Sequence, residues 1–152
     1  MPAKYEKLGI SFQYPDNWTL DEGDAVAGRD SVTVYSPGGA FWSLAIHPRS
    51  ADPRRLAEAA VDTMKQEYEQ LEAEDVCESL AGHELIGYDL NFYYLDLTNT
   101  AHIRCLRSER QTLTVFCQAE DREFDRIKSV FQAMTVSLLS SVKKISWGRQ
   151  TG

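Results

Sequence analysis

Apolar and polar residues alternate from Leu8 to Tyr14, with Leu8, Ile10, Phe12 and Tyr14 on one side and Gly9, Ser11 and Gln13 on the other. This period of two predicts a strand with one face in a core. Pro15 fixes φ and offers no amide donor, so it ends the strand. Asp16 and Asn17 suit a tight corner that brings the chain back at Trp18, a large aromatic anchor. The alternation stops in residues 22–30, which are rich in Gly and acid and predict a loop. It resumes in residues 31–36 and 40–47, where Val32 and Val34 share a side, as do Trp42, Leu44 and Ile46. Pro37, Gly38 and Gly39 between them predict a three-residue hairpin turn.

The period then becomes helical. Asp52 is a natural N-cap, Pro53 is tolerated at the first helical position, and Leu56, Ala60, Val61, Met64, Tyr68 and Leu71 form an apolar stripe. A meander follows, with strands over residues 74–80 and 84–94 and a turn at Ala81, Gly82 and His83. Ile86, Tyr88, Leu90, Phe92 and Tyr94 share one face. Ala101, Ile103 and Cys105 are expected to continue it on the next strand, and Leu113, Val115, Cys117 and Ala119 on the one after. Turns at residues 95–99 and 109–111 make the neighbours antiparallel. A second helix starts near Glu120 and Asp121 and presents Phe124, Ile127, Val130, Phe131 and Met134. Thr135, Val136 and Leu138 predict a last short strand. Residues 140–152 carry three basic residues, no acid and no apolar period. The organisation expected is a single domain over 1–139 and a mobile basic tail over 140–152.

Charge changes the list of partners. Sixteen Lys and Arg against 23 Asp and Glu give a net charge of −7, which opposes attraction to nucleic acid or an anionic membrane. No stretch approaches the roughly 20 apolar residues of a membrane span, and the N-terminus has no apolar signal region. The reading is a cytoplasmic protein with no nucleic-acid partner and no membrane span. Cys77, Cys105 and Cys117 lack the paired spacing of a zinc site or a redox dithiol and are expected to be reduced. Cys105 and Cys117 are expected to face one core from diagonal positions, too far apart to bridge.

Candidate chemistry is sparse. Gly38-Gly39 lacks the flanking pattern of a phosphate loop, and the acidic run at 67–75 lacks that of a calcium loop. His47 stands at a strand end, His83 in a turn, and His102 three residues from Cys105 on a strand, hence on the opposite face. Ser36, Ser43 and Ser108 have no nucleophile elbow. No catalytic residue, cofactor site or metal-ligand set is predicted. Pairing Tyr94 with Ala101 and Ser108 with Thr112 gives three rows: Tyr93, His102 and Gln118; Asn91, Arg104 and Phe116; Asp89, Leu106 and Thr114. Two readings of this mixed face stand side by side. A helix covers its apolar part while the polar groups reach solvent at the rim, or Asp89, Asn91, Tyr93, His102 and Arg104 form a contact surface for another protein.

The order of parts resembles a known superfamily. Residues 9–18 fit G-[IV]-S-F-x-Y-P-x-x-W; a hairpin, a helix, a G-x-E corner at Gly82 to Glu84 and a three-strand meander follow. A closing helix carries F-x-x-I-x-x-x-F from Phe124 to Phe131. Over residues 5–139 this is similar to PsbP, the extrinsic subunit of photosystem II, and to Mog, the Ran GTPase-binding import factor, with their small bacterial relatives. The resemblance implies an α+β fold, an α-β-α sandwich with helices packed on the faces of an antiparallel sheet. It also implies relatives that bind proteins without catalysis. The function expected is a non-enzymatic protein-binding or adaptor domain; the alternative is a small-ligand-binding domain or weak hydrolase with a pocket between sheet and helix.

Overall fold

Strand alternation here gives one sheet two different apolar faces, each covered by its own helix. The computed structural model describes residues 2–7, 9–22 and 30–143. In chain order the elements are β1 (Pro2–Lys7), β2 (Ile10–Pro15), β3 (Thr19–Asp21), β4 (Asp30–Tyr35), β5 (Phe41–Pro48) and α1 (Pro53–Glu67). They continue with β6 (Glu72–Leu80), β7 (His83–Tyr94), β8 (Leu97–Arg107), β9 (Gln111–Glu120) and α2 (Asp121–Ser141). Seven strands form a sheet in the order β3-β4-β5-β9-β8-β7-β6, antiparallel throughout, and β1 and β2 form a separate hairpin. Helix α1 covers one face; α2 and the β1–β2 hairpin cover the other. This is the expected α-β-α sandwich.

Helix α1 starts where the sequence says it should. The Asp52 side chain accepts from the Arg54 amide, and Pro53 occupies the first turn. Ala57, Val61 and Met64 are buried against Leu90, Phe92, Ala101, Ile103 and Cys105. The helix stops at Glu67, so Leu71 reaches the same core from beyond it.

The larger core lies under α2. Phe124, Phe131, Met134, Leu138 and Leu139 meet Trp42, Leu44, Val34, Leu113 and Val115. Trp18 is buried as the corner anchor, edge-on to Phe131 at 6.0 Å. Trp42 is fully buried, its ring 4.7 Å from Phe12 and its indole N–H donating to Thr135 Oγ1 at 3.0 Å. The outer edge of β2 is closed by the helix: the Ser11 amide donates to Ser141 Oγ at 3.0 Å and the Gln13 amide to Ser137 Oγ at 2.8 Å. Two residues of strand span about 6.8 Å and one four-residue helical step about 6 Å, so the two spacings match.

Several expectations are corrected. Residues Pro2–Lys7 form an unexpected strand, half-exposed and therefore without a clear apolar period. Tyr94 pairs with Leu97, not with Ala101, because Leu95 and Asp96 alone make the turn, with φ of 52° and 64°. Arg107 pairs with Thr112, so the β8–β9 loop has one residue more than expected. A one-residue shift flips a strand. Leu113, Val115, Cys117 and Ala119 consequently face α2, opposite to Ile103 and Cys105. Cys105 and Cys117 lie on opposite faces and no bridge can join them. The expected rows are replaced by Asp89, His102 and Cys117, and by Gly87, Arg104 and Val115.

Thr135, Val136 and Leu138 are helical, since the apolar period of α2 continues to Leu139. Ser140 and Ser141 belong to that helix too, and the Lys143 carbonyl accepts from the Glu109 amide at 2.8 Å, so the boundary expected at 139 is too early. Leu8, the expected loop at 23–29 and the rest of the tail at 144–152 lie outside the described residues.

Candidate functional site

The five expected contact residues share the α2-facing side of β7 and β8, but the fold divides them. Asp89, Asn91 and Tyr93 run along β7 toward the hairpin tip, Asn91 and Tyr93 being exposed and Asp89 half-buried. His102 is half-buried beside the first turn of α2, edge-on to Phe124 at 4.9 Å. Arg104 is buried, with 9% of its surface exposed.

Arg104 is placed by the ladder. It pairs with Gly87, where a side chain would collide with the Ile103 carbonyl, so only glycine lets β7 and β8 close at this point. Arg104 Nε donates to Glu78 Oε2 at 2.6 Å and Nη2 to Asp89 Oδ1 at 2.8 Å. Nη1 donates to the carbonyls of Tyr88 at 3.2 Å and Ile103 at 3.0 Å. The two carboxylates keep the guanidinium charged, outweighing the opposing effect of burial. This is a structural ion-pair cluster linking β6, β7 and β8. The expectation that the polar end of Arg104 reaches solvent is withdrawn, because β6 supplies a carboxylate across the strand.

His102 Nε2 lies 3.4 Å from Asp89 Oδ1. Burial lowers its pKa, Asp89 raises it and Arg104 lowers it again; the net direction is down. A group that is protonated more readily in the unfolded chain costs stability on acidification. The fold is therefore expected to lose stability as pH falls below the usual imidazole value of about 6.5. Urea melts across pH 5.5 to 6.5 check this: His102→Gln should show a shallower slope than the parent, and equal slopes would remove His102 as the cause.

The thiols are positioned for packing. Burial pushes the Cys117 thiol up to about 12. Cys105 is also raised by burial; its Sγ lies 3.4 Å from Thr114 Oγ1, which in turn lies 3.2 Å from His47 Nε2. Thr114 thus separates the thiol from the imidazole, and Cys105 is fully buried. His83, expected in an open turn, is buried on β7, its Nε2 3.0 Å from the Leu139 carbonyl. Among the described residues no three His, Cys, Asp or Glu side chains are grouped to hold a metal ion.

Two features were not anticipated in detail. One is a cavity of about 370 Å³ between the sheet and α2, with Leu85, Val115, Phe124 and Phe131 among its apolar walls. The other is the tip of the β7–β8 hairpin. There Tyr93, Tyr94, Leu95 and Leu97 are all exposed, Leu95 by 76%. Tyr94 stands edge-on to Tyr68 at 5.9 Å, which braces the tip against the end of α1.

No protein-family model and no curated protein matches the chain. Solved structures do. The cyanobacterial PsbP, CyanoP, from Synechocystis sp. PCC 6803 superposes with a TM-score of 0.63 at 15% identity, covering 95% of this chain and 92% of that one. The fold is PsbP-like. The same PsbP-like architecture occurs in PA94, a protein of unknown function from Pseudomonas aeruginosa, at TM-score 0.54 and 9% identity over 90% of this chain and 95% of that one. A protein from Bacteroides thetaiotaomicron VPI-5482 matches at TM-score 0.58 and 11% identity, over 95% of this chain and 49% of that one. At these identities the likeness is one of PsbP-like fold. No helix among the described residues is long and apolar enough to cross a membrane.

Proposed function

We propose that the chain is a non-catalytic protein-binding domain that docks through the tip of the β7–β8 hairpin. One observation carries this: Leu95, a γ-branched apolar residue, is held at φ 52° and is 76% exposed, between Tyr93, Tyr94 and Leu97. Left-handed backbone costs a non-glycine residue roughly 1–2 kcal/mol, and Asn-Gly would make the same two-residue turn without that cost. A strained turn displaying an apolar side chain is the arrangement expected of a contact point. Tyr and Leu on a braced hairpin give rigid area that needs little ordering on binding. Of the expected contact residues, Asn91 and Tyr93 belong to this surface. Asp89, His102 and Arg104 lie farther along the ladder, around the ion-pair cluster, and fall outside the proposed contact surface. The PsbP-like fold agrees with the reading, since the resemblance implies relatives that bind proteins. A reducing compartment such as the cytoplasm suits the exposed Cys77 thiol.

The test separates turn chemistry from binding. Leu95→Asn with Asp96→Gly should raise the unfolding free energy by about 1 kcal/mol, by relieving the turn. The same pair of changes should abolish adducts that a photo-crosslinking residue at Tyr93 forms with a discrete protein in extracts of the native cell. Unchanged adducts in the double variant would place the docking site elsewhere.

A further inference from the structure

We propose that the cavity between the sheet and α2 is a binding site for a small amphiphilic monocarboxylate, which goes beyond the docking role of the hairpin tip. The β1–β2 hairpin packs along one flank of α2. On the other flank, over β6 to β9, the space of about 370 Å³ falls within the range of small-molecule sites. Its interior is apolar, built from Leu80, Leu85, Val115, Cys117, Phe124 and Phe131. Its polar groups are Glu78, His102 and Arg104 on the sheet and, on α2, the buried Thr135 with the exposed Lys128, Ser129 and Gln132.

Charge selects the class. Glu78 and Asp89 are both engaged by Arg104, whose guanidinium lines the cavity with four of its N–H groups already bonded. Lys128 takes part in none of the ion pairs among the described residues. One carboxylate on a ligand finds this ammonium while its hydrocarbon enters the apolar interior. A second carboxylate would meet Glu78, and an amine at the mouth would meet Lys128. An apolar body with a single negative group is the chemistry that fits all of these walls.

Octanoate, octanol and octylamine, titrated into the full chain and followed by amide chemical shifts, test this. Octanoate should bind saturably and most tightly, with shifts confined to residues lining the cavity. Lys128→Glu should weaken octanoate by about fivefold or more, leave octanol unchanged and favour octylamine. Ser129→Trp, a change at an exposed position of the mouth, should block all three while the amide spectrum stays that of a folded protein. Equal affinity for the three probes, octanoate binding indifferent to Lys128→Glu, shifts mapping to another surface, or no saturable binding would each overturn the proposal.

Discussion

Arg104→Ala should lower the unfolding free energy by about 3 kcal/mol, read from urea melts at neutral pH. The change leaves Glu78 and Asp89 facing one another without the cation that holds them, and removes a donor pair from the Tyr88 and Ile103 carbonyls. Breaking a buried ion pair on one side typically costs about 3–5 kcal/mol. The lower end applies because the Glu78 and Asp89 side chains remain 39% and 31% exposed, where water screens them. Glu78→Gln with Asp89→Asn in the same chain should restore part of the loss, since neutral amides do not need the cation. A loss of less than about 1 kcal/mol for Arg104→Ala alone would mean the cluster contributes nothing net.

Trp42→Ala should cost still more, about 3–5 kcal/mol, out of the 5–15 kcal/mol typical of a whole domain. Trp42 lies between the β1–β2 hairpin and α2, touching Phe12 with its ring and Thr135 with its indole N–H. Its loss opens a cavity at the junction of three layers. Trp42→Phe keeps most of the apolar area and gives up the hydrogen bond, so it should cost clearly less than the alanine variant. Equal denaturation midpoints for Trp42→Ala and the parent would show that the hairpin layer is not coupled to the sheet.

The core of β2, the corner at Trp18 and the start of α1 were legible because each is a local rule: alternation, a proline stop, a cap. The β8–β9 connection was not. Ser108 shapes a loop through its amide and hydroxyl bonds to the Gln111 carbonyl, at 2.7 and 2.9 Å, with no glycine to mark its length. A period of two cannot count loop residues, so one extra residue sent β9 to the wrong face. The error at Leu95-Asp96 was a shift of four residues along β8, an even number. That is why Asp89, Asn91, Tyr93, His102 and Arg104 still share a face. The burial of Arg104 was invisible for another reason: its partner Glu78 comes from β6, and no local pattern reports a carboxylate two strands away.

The serine hydroxyls that close the edge of β2 tie the β1–β2 hairpin to α2 across most of the described sequence. Ser11 and Gln13 find their acceptors on residues 141 and 137, more than 120 residues later. During synthesis the β1–β2 hairpin must therefore wait, with those amides in water, until α2 has left the ribosome. The sheet and α1 can assemble in the meantime, because none of their contacts with each other needs α2. Nascent chains halted before Ser137 are then open at one face, and chaperones that recognise apolar sheet surface have their longest opportunity there.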